Sequence, residues 1–435
     1  MTDRWLSAWG LAAVAFGGAS LIVPLYVVEL GGTPFDLGVL FAASSFVGVP
    51  AALVFGNLAD RTGKRRAFVL GAMVLTVATT AAIPLLGSIG PVIVAASLLW
   101  FGFAAATPVL TLLVVAGEPE TAWSDLIASL NRFQGIGWAA GLALGFVVTA
   151  AVTAVADPIA AQRAFFVVCT GASAVGLVLA WRTLPADSGP DAGPSPRQLR
   201  KRLRGAARFN VRGAAFPVTP SRFDLRGLHP RRFVERFTPG LAAYFTAALL
   251  AFTGFGVFFA PLPAYLSGLG FGSDGIFALY LALNTAAALC FGRVGGVVDR
   301  FGLLRVHAGG LLVRAAALPL VAVVGVVVGG SLLGTGVVGV AFVVIGLTWA
   351  VISVTAATLV TRLAPAVIRG EALGVYGALV AVGGGIGGLL GGWLAAYGYL
   401  VAFGVAGGLV AAGTAVLVFL SRSRATTAVP RPESA

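Results

Sequence analysis

Two aspartates, Asp60 and Asp299, stand in the same short pattern of residues and are the clearest candidates for a specific chemical role. Both patterns read G-x-x-x-D-R-x-G, and they begin 239 residues apart in a chain of 435. Each aspartate follows a long apolar stretch, so it is placed at the carboxyl end of a helix, where the helix dipole disfavours a carboxylate. The carboxylate becomes favourable when the amino end of a neighbouring helix points at it. The pattern therefore predicts a contact between each carboxylate and the amino end of a neighbouring helix, with a pair of simple turns as the alternative.

Other residues of catalytic and metal-binding types are few and scattered. Cys169 and Cys290 both fall inside apolar runs, which favours packing over a disulfide. The two histidines, His229 and His307, lack metal-ligand spacing. We therefore predict no metal site, no cofactor and no catalytic residue. A membrane-embedded enzyme is disfavoured because the zinc-protease, paired-aspartate and nucleophile motifs are missing from the sequence.

Glu29 is the candidate proton carrier. No acidic residue lies in the middle of an apolar stretch, where such a carrier usually lies, and Glu29 is near the outer end of the first one. A solvated helix end is the alternative interpretation of this residue.

The composition indicates the elements that position these residues. The chain is 58% hydrophobic and 10% charged, with a mean hydropathy of +0.97. A soluble fold of this length cannot bury so much apolar surface, so lipid must surround much of it. The apolar runs are about 20 residues long, which favours spanning helices over the shorter strands of a barrel.

We predict an all-α polytopic membrane protein with about twelve transmembrane helices in two pseudo-symmetric halves of six. Residues 1–184 form the first half and residues 240–421 the second, joined by a basic linker at 185–239 and followed by a tail at 422–435. The predicted spans are 8–30, 38–58, 67–87, 91–116, 129–155, 163–184, 240–266, 276–296, 306–328, 334–361, 370–396 and 400–420.

The basic residues predict the orientation in the membrane. All but two of the 29 Lys and Arg residues, Arg163 and Arg314, fall on one side of it in this arrangement. Because cytoplasmic loops carry the excess of Lys and Arg, we expect a cell-membrane protein with both termini and the linker in the cytoplasm. Arg314 lies about two turns into the ninth span, and we expect its side chain to snorkel to the cytoplasmic interface.

The linker mixes arginines with Phe and Leu between residues 197 and 236. This mixture favours one or two amphipathic helices on the anionic lipids of the inner leaflet, with a solvated loop as the alternative. Nucleic-acid binding is disfavoured, although the net charge is +13, because no RNA-recognition motif accompanies the charge.

The paired D-R patterns and the basic extension Lys64-Arg65-Arg66 resemble motif A of the major facilitator superfamily. Further residues repeat at an offset of 237, including Pro24 with Pro261 and Arg132 with Arg369. The resemblance covers nearly the whole chain and implies a transporter that works by alternating access. Its motif residues here are Gly56, Asp60, Arg61, Gly63, Lys64, Arg65, Gly295, Asp299, Arg300 and Gly302.

The resemblance also implies partners for the two motifs. Asp60 would face the start of the eleventh span near Gly370, and Asp299 the start of the fifth near Arg132. Such contacts would hold the cytoplasmic side shut and break when the halves rock apart. Gly63 and Gly302 would permit the tight loops.

The sequence departs from drug/proton antiporters of this superfamily at three places. Leu98 stands where many carry an arginine four residues before a glycine of the fourth span, and Leu142 replaces the proline after a glycine of the fifth. Leu303 and Leu304 replace the basic pair in the second motif copy. These departures weaken the antiporter assignment and leave the predicted fold unchanged.

The resemblance places the solute cavity on the first, fourth, seventh and tenth spans. Packing or an interfacial belt is the alternative for the aromatic residues, and a bond between helices is the alternative for Asn284 in the eighth span. The cavity candidates are Tyr26, Trp100, Thr107, Tyr244, Tyr265, Asn284, Thr348, Trp349, Ser353 and Thr355.

The predicted function is secondary transport of a small organic solute by a protein that works as a monomer. No ATP-binding loop is present in the sequence to drive primary transport. An apolar, aromatic cavity favours efflux of amphipathic compounds, with or without proton coupling. Uptake of a neutral nutrient such as a sugar is the alternative, and a non-transporting receptor of the same fold is a further one. An anionic solute is disfavoured because no pair of central arginines or lysines is available.

Overall fold

The computed structural model describes residues 2–116, 119, 123–187, 238–328, 332–365 and 368–426, and nearly all of them are helical. The predicted interfacial helices at 197–236 lie outside the described residues. Two short 3₁₀ turns, Ile83–Leu85 and Ala395–Tyr397, follow the third and thirteenth helices below. The helices are α1 (Thr2–Glu29), α2 (Pro34–Thr62), α3 (Arg65–Ala82), α4 (Ile89–Val114), α5 (Trp123–Thr153), α6 (Pro158–Thr183), α7 (Pro239–Phe259), α8 (Leu262–Gly268), α9 (Ser273–Phe291), α10 (Val294–Phe301), α11 (Leu303–Val328), α12 (Leu332–Leu363), α13 (Arg369–Leu394) and α14 (Tyr399–Thr426).

Twelve helical segments within the described ranges are long and apolar enough to cross a membrane. Helices α7 and α8 together form the seventh of them, and the short α10 forms none. The predicted all-helical class and the predicted number of spans are therefore confirmed. Two predicted spans are interrupted, the seventh at Ala260-Pro261 and the eighth at Gly292-Arg293.

The interruption of the seventh span distinguishes the two halves. Pro261 stands at the start of α8, where its missing N–H leaves no helical hydrogen bond to lose. The repeated proline of the first half, Pro24, lies inside α1, which continues through it. The same local signal thus ends one helix and is tolerated in the other.

Local sequence signals begin several helices. The Thr33 hydroxyl accepts a hydrogen bond from the backbone N–H of Asp36, and the backbone N–H of Thr33 donates to the Asp36 carboxylate, which forms a capping box at the start of α2. The side chain of Asp157 caps α6 by accepting from the N–H of Ala160 at 2.7 Å. A proline occupies the first position of α2, α6 and α7, where its fixed backbone angle suits a helix start.

The two halves pack in the same way. In the first half α1 packs on α5 and α6, and in the second half α7 packs on the corresponding α13 and α14. These central helices are the most enclosed, because 78% of an apolar stretch is buried in both the first and the seventh spans. The halves meet where α2 packs on α13 and where α5 packs on α9.

The helix ends form two faces of the bundle. We call the end that carries residues 4, 61–66, 182 and 362–369 the basic face. The opposite end, which carries the connections at 30–33, 86–88, 154–157 and 269–272, is the short-loop face. Tight turns close two connections at the basic face, where Gly63 and Gly302 adopt φ of +68° and +85°. Only glycine reaches this region without strain, as expected for these loops.

Glycines of α13 pack this helix against both halves. A Cβ added at Gly387 would clash with the carbonyl oxygen of Thr253 in α7, within its own half. A Cβ added one residue later, at Gly388, would lie 2.9 Å from the Phe41 ring in α2. Three glycines, at 383, 387 and 391, face α7. Three others, at 384, 388 and 392, face α2. The four-residue spacing thus builds two close helix interfaces, because small residues on one helix face let backbones approach.

Two close contacts between the halves, made by Gly38 and by Phe277, lie toward the short-loop face. Gly38 near the start of α2 meets the carbonyl oxygen of Gly388, at 2.5 Å from an added Cβ. Phe277 near the start of α9 packs edge to face on Phe165 of α6, with ring centroids 5.3 Å apart. These contacts hold the two halves together at that face.

Candidate transport site and gates

An aromatic cluster fills the interior of the first half. Trp9 of α1 stacks on Phe103 of α4 at 6.1 Å between ring centroids, and Phe16 packs on the same ring at 4.7 Å. Trp100 and Trp138 extend the cluster, with centroids 6.0 Å apart. The buried indole of Trp9 donates a hydrogen bond to the Oε1 of Gln134 at 3.0 Å. Trp100, a predicted cavity residue, is partly exposed at the edge of this cluster.

A second aromatic cluster occupies the second half and contains a cation. The guanidinium of Arg314 in α11 lies 4.3 Å from the ring centroid of Phe255 and 5.7 Å from that of Phe259, both in α7. It also lies 5.6 Å from the ring of Trp349 in α12. Phe252 packs edge to face on Trp349 at 6.3 Å and completes the cluster.

The expectation that Arg314 snorkels to the basic face is wrong. The residue is 1% exposed, eleven positions after the start of α11 at Leu303. That separation corresponds to about 16 Å of helix, which is too far for the side chain to reach the end of the bundle. The rings from α7 and α12 accept the cation instead, because an aromatic face attracts a positive charge.

His307 lies two helical turns before Arg314 and is also buried, at 3% exposure. Its Nδ1 is 2.7 Å from the Oγ1 of Thr355 in α12. The Thr355 hydroxyl donates its one proton to the carbonyl oxygen of Val351 at 2.6 Å. The contact between His307 and Thr355 therefore joins α11 to α12.

A small cavity borders His307. It has room for about one water molecule. Tyr244, a predicted cavity residue, lies on its wall with its ring centroid 5.7 Å from that of His307 and 6.2 Å from that of Tyr376. The polar groups around this cavity come from α7, α11 and α13.

Tyr26 and Tyr265 do not join either cluster. The hydroxyl of Tyr26 donates to the carbonyl oxygen of Leu86 at 3.0 Å, and that of Tyr265 donates to the carbonyl oxygen of Val321 at 3.0 Å. Both rings are buried, and each packs on a phenylalanine of the sixth span of its own half. The partner is Phe166 for Tyr26 and Phe403 for Tyr265. In this structure they connect helices near the short-loop face.

Most of the smaller polar candidates bond to their own helices. Thr107 donates to the carbonyl oxygen of Phe103 at 2.8 Å, and Ser353 donates to that of Trp349 at 2.7 Å. Thr348 donates to the carbonyl oxygen of Ile345 at 2.9 Å. The amide of Asn284 donates to the carbonyl oxygen of Tyr280 at 2.8 Å. Because these side chains bond to carbonyls of their own helix, each can turn toward a solute without breaking a contact between two helices.

The first motif copy holds the end of α6 through its basic extension. The guanidinium of Arg66 donates to the carbonyl oxygens of Leu184, at 3.1 Å, and Trp181. The backbone N–H of Arg66 donates to the Oδ1 of Asp187 at 2.6 Å. A cation here satisfies the free carbonyls at the carboxyl end of α6 and complements its dipole. Lys64 is exposed, whereas the side chains of Asp60 and Arg61 lie outside the described ones.

The second motif copy is exposed. Asp299 and Arg300 both lie on the surface of the short helix α10, which packs on α11 and α12. Arg132, the expected neighbour of Asp299, is exposed as well and lies 5.7 Å from the ring centroid of Phe133. Glu29 ends α1 at the short-loop face, where its side chain is exposed.

The sequence matches the family model described as Major Facilitator Superfamily over residues 5–368 and 294–435. These two matches together span almost the whole chain, and the twelve spans in two similar halves agree with them. The chain belongs to the Major Facilitator Superfamily. The predicted family and fold are therefore confirmed.

Solved structures of transporters share this fold over almost their full length. The nucleoside transporter NupG has a TM-score of 0.66 and 13% identity, covering 97% of this chain and 98% of that one. A POT family transporter in complex with 5-aminolevulinic acid has a TM-score of 0.71 and 15% identity, covering 97% and 96%.

A bacterial homologue of the human lysosomal transporter Spinster, in an inward-facing and unoccupied conformation, has a TM-score of 0.67 and 14% identity. It covers 97% of this chain and 95% of that one. No curated protein matched the sequence. At these identities the similarity shows the fold of this superfamily member and no particular solute.

The structure adds residues that the sequence analysis left out of the site. His307 was considered only as a metal ligand, and Arg314 only as a snorkelling side chain. Trp9, Phe255 and Tyr376 were not singled out. A signal for the first pair was present, because His307 and Arg314 are seven residues apart and therefore share one face of a helix whose other residues are almost all apolar.

Proposed function

We propose that this superfamily member exports amphipathic organic solutes across the cell membrane, as a monomer with both termini in the cytoplasm. The observation that carries the proposal is the pair of aromatic clusters. Trp100 and Trp349 lie near the middle of the fourth and tenth spans, and both are partly exposed. Flat apolar surfaces with few charges suit a solute that is largely apolar and carries one polar group.

The proposed cycle alternates closure between the two faces. Under the proposed orientation the short-loop face is external, and the contact between Gly38 and Gly388 closes it. Closure of the basic face would use the two motif copies. Asp60 would meet the start of α13 near Gly370, and Asp299 would meet the start of α5 near Arg132. Asp299 and Arg132 are both exposed here, as expected for a basic face that is not closed at this pair.

The energy source we propose is an ion gradient. Two titratable groups are positioned differently for this role. Glu29 is exposed at the short-loop face, whereas His307 is buried beside a small cavity. The 197–236 segment would lie on anionic lipids of the inner leaflet and does not enter this part of the proposal.

Flux in proteoliposomes tests the proposed function. Purified protein is reconstituted, and uptake or release of two fluorescent amphiphiles, one neutral and one carrying a carboxylate, and of a radiolabelled sugar is followed with and without a pH gradient. We expect protein-dependent flux of an amphiphile and none of the sugar. Sugar flux without amphiphile flux would replace export with nutrient uptake. Flux of neither, in liposomes where a known transporter is active, would overturn the proposal.

A further inference from the structure

Among the described residues of the second half, Arg314 has no carboxylate partner. The second half of the chain contains three acidic residues, Asp274, Asp299 and Glu371. They belong to α9, α10 and α13 respectively, and each lies within three residues of an end of its helix. Arg314 lies eleven residues inside α11 from one end and fourteen from the other. No acidic residue therefore lies at its depth in this half.

The hydrogen-bonding capacity of this guanidinium is almost unused. It carries five N–H donors, and one of them, on Nη1, donates to the carbonyl oxygen of Ile345 at 3.3 Å. Its Nε is buried and has no partner. A buried cation that is neither paired nor fully hydrogen-bonded is strongly disfavoured in an apolar interior, and three aromatic faces offset only part of that cost.

Arg314 contacts rings of two spans that line the proposed solute path. Phe255 belongs to the seventh span and Trp349 to the tenth, and these spans line the proposed path. Phe255 is 5% exposed, whereas Trp349 is partly exposed. The guanidinium therefore contacts aromatic rings from two of the spans that line the proposed path.

We propose that Arg314 binds the anionic group of the transported solute, and that the solute is an amphipathic carboxylic acid. The carboxylate would take the free N–H donors of the guanidinium, and the apolar body would pack on Trp349 and Phe252. In the empty protein the aromatic rings hold the cation in place. The inference rests on the proposed function and narrows its solute class. It replaces the earlier expectation against anionic solutes, because a single arginine fork is sufficient to hold one carboxylate.

Binding of a matched pair of probes tests this assignment. Radiolabelled 4-phenylbutyrate and its neutral amide differ only in charge and are measured by scintillation proximity on the purified full-length protein. We expect the wild type to bind the carboxylate roughly tenfold or more tightly than the amide, since charged hydrogen bonds are the strong ones. Arg314→Gln should bind the two probes equally. Arg314→Lys should retain part of the preference because it keeps the charge without the fork.

A stability measurement separates a binding role from a structural one. Arg314→Met removes the charge and keeps an unbranched side chain that fits between rings. If Arg314 serves the solute, this variant should unfold at the same or a higher temperature than the wild type and should lose the carboxylate preference. A latch that holds α11 to α7 would instead give a lower unfolding temperature and an unchanged preference.

The matched control is Arg163→Gln, which removes an exposed arginine from the start of α6. It should leave both affinities unchanged. Equal binding of the two probes by the wild type, binding of neither, or a preference that survives in Arg314→Gln would overturn the assignment to Arg314. Export of a neutral amphiphile would then still support the proposed function. Carboxylate binding through Arg314 without any flux would instead keep this inference and overturn transport.

Discussion

Tyr26 and Tyr265 stand 239 residues apart and make equivalent contacts in the two halves. Each donates a hydrogen bond at 3.0 Å to a carbonyl oxygen near the end of the third or ninth span, Leu86 or Val321. Each ring packs on a phenylalanine, Phe166 or Phe403, at 5.6 and 5.2 Å between centroids. The two halves thus repeat a side-chain contact, and each tyrosine connects helices of its own half.

Removal of either hydroxyl should therefore destabilise the protein by a similar amount. Tyr26→Phe and Tyr265→Phe should each cost about 0.5–1.5 kcal/mol, because a hydrogen bond between buried groups is lost. Tyr397→Phe is the control, since that side chain is 65% exposed. Thermal unfolding in nanodiscs measures all three. If Tyr265 bound the solute instead, Tyr265→Phe would lower solute affinity at unchanged stability.

A single methyl group at Gly38 should open the short-loop face. The added Cβ would lie 2.5 Å from the carbonyl oxygen of Gly388 in the other half, which is closer than real Cβ contacts. Because backbone atoms cannot yield cheaply, the halves should separate, at a cost of about 1–3 kcal/mol for the closed state. Spin labels at positions 157 and 270, in a background without the two native cysteines, should show a longer distance in Gly38→Ala.

Gly48→Ala is the matched control in the same helix. Its added Cβ would meet the Cβ of Ala104 at 3.6 Å, an ordinary contact within the first half. The distance between the labels should match that of the wild type. Equal distances in Gly38→Ala and Gly48→Ala would show that the Gly38 contact does not hold the face closed.

Arg66 should stabilise the basic face more than its neighbour Lys64 does. Arg66→Gln removes a cation from the carbonyl oxygens of Trp181 and Leu184, and the expected cost is about 1–3 kcal/mol because the lost bonds are charge-assisted. Lys64→Gln removes the same charge from an exposed side chain. The unfolding temperature of Arg66→Gln should be lower than that of Lys64→Gln, and that of Lys64→Gln should be near the wild-type value. The reverse order would contradict the assigned role.

Proton coupling should depend on His307 or on Glu29, and the two can be separated. If His307 carries the proton, His307→Gln should abolish accumulation driven by a pH gradient and preserve exchange of solute down its own gradient. Glu29→Gln should then behave as the wild type, since that carboxylate is exposed at the short-loop face. The opposite pair of results would assign coupling to Glu29. Full accumulation in both variants would exclude both groups.

The orientation in the membrane should follow the basic residues. Cysteines introduced at Ser195, in the linker, and at Gly270, on the short-loop face, should be labelled by an impermeant thiol reagent from opposite sides of intact cells. We expect Gly270→Cys to react from outside and Ser195→Cys only after permeabilisation, because Lys and Arg are retained in the cytoplasm. Labelling of Ser195→Cys in intact cells would reverse the proposed orientation and, with it, the proposed direction of transport.

The sequence by itself determined the architecture. Long apolar runs, the paired D-R patterns and the shared offsets predicted twelve spans, two similar halves and the superfamily, because the membrane imposes helix length and an internal repeat preserves residue order. These properties depend on periodicity along a single chain, which can be read without a partner.

Only the tertiary structure decided which polar groups share an environment. Arg314 appeared able to reach an interface when α11 was considered alone, and it became a buried cation only once Phe255 and Trp349 were brought around it from α7 and α12. His307 acquired its hydrogen-bond partner in the same way, since Thr355 belongs to another helix. The physical reason is that burial and hydrogen bonding depend on neighbours from distant parts of the chain, and the choice of those neighbours follows from how helices pack.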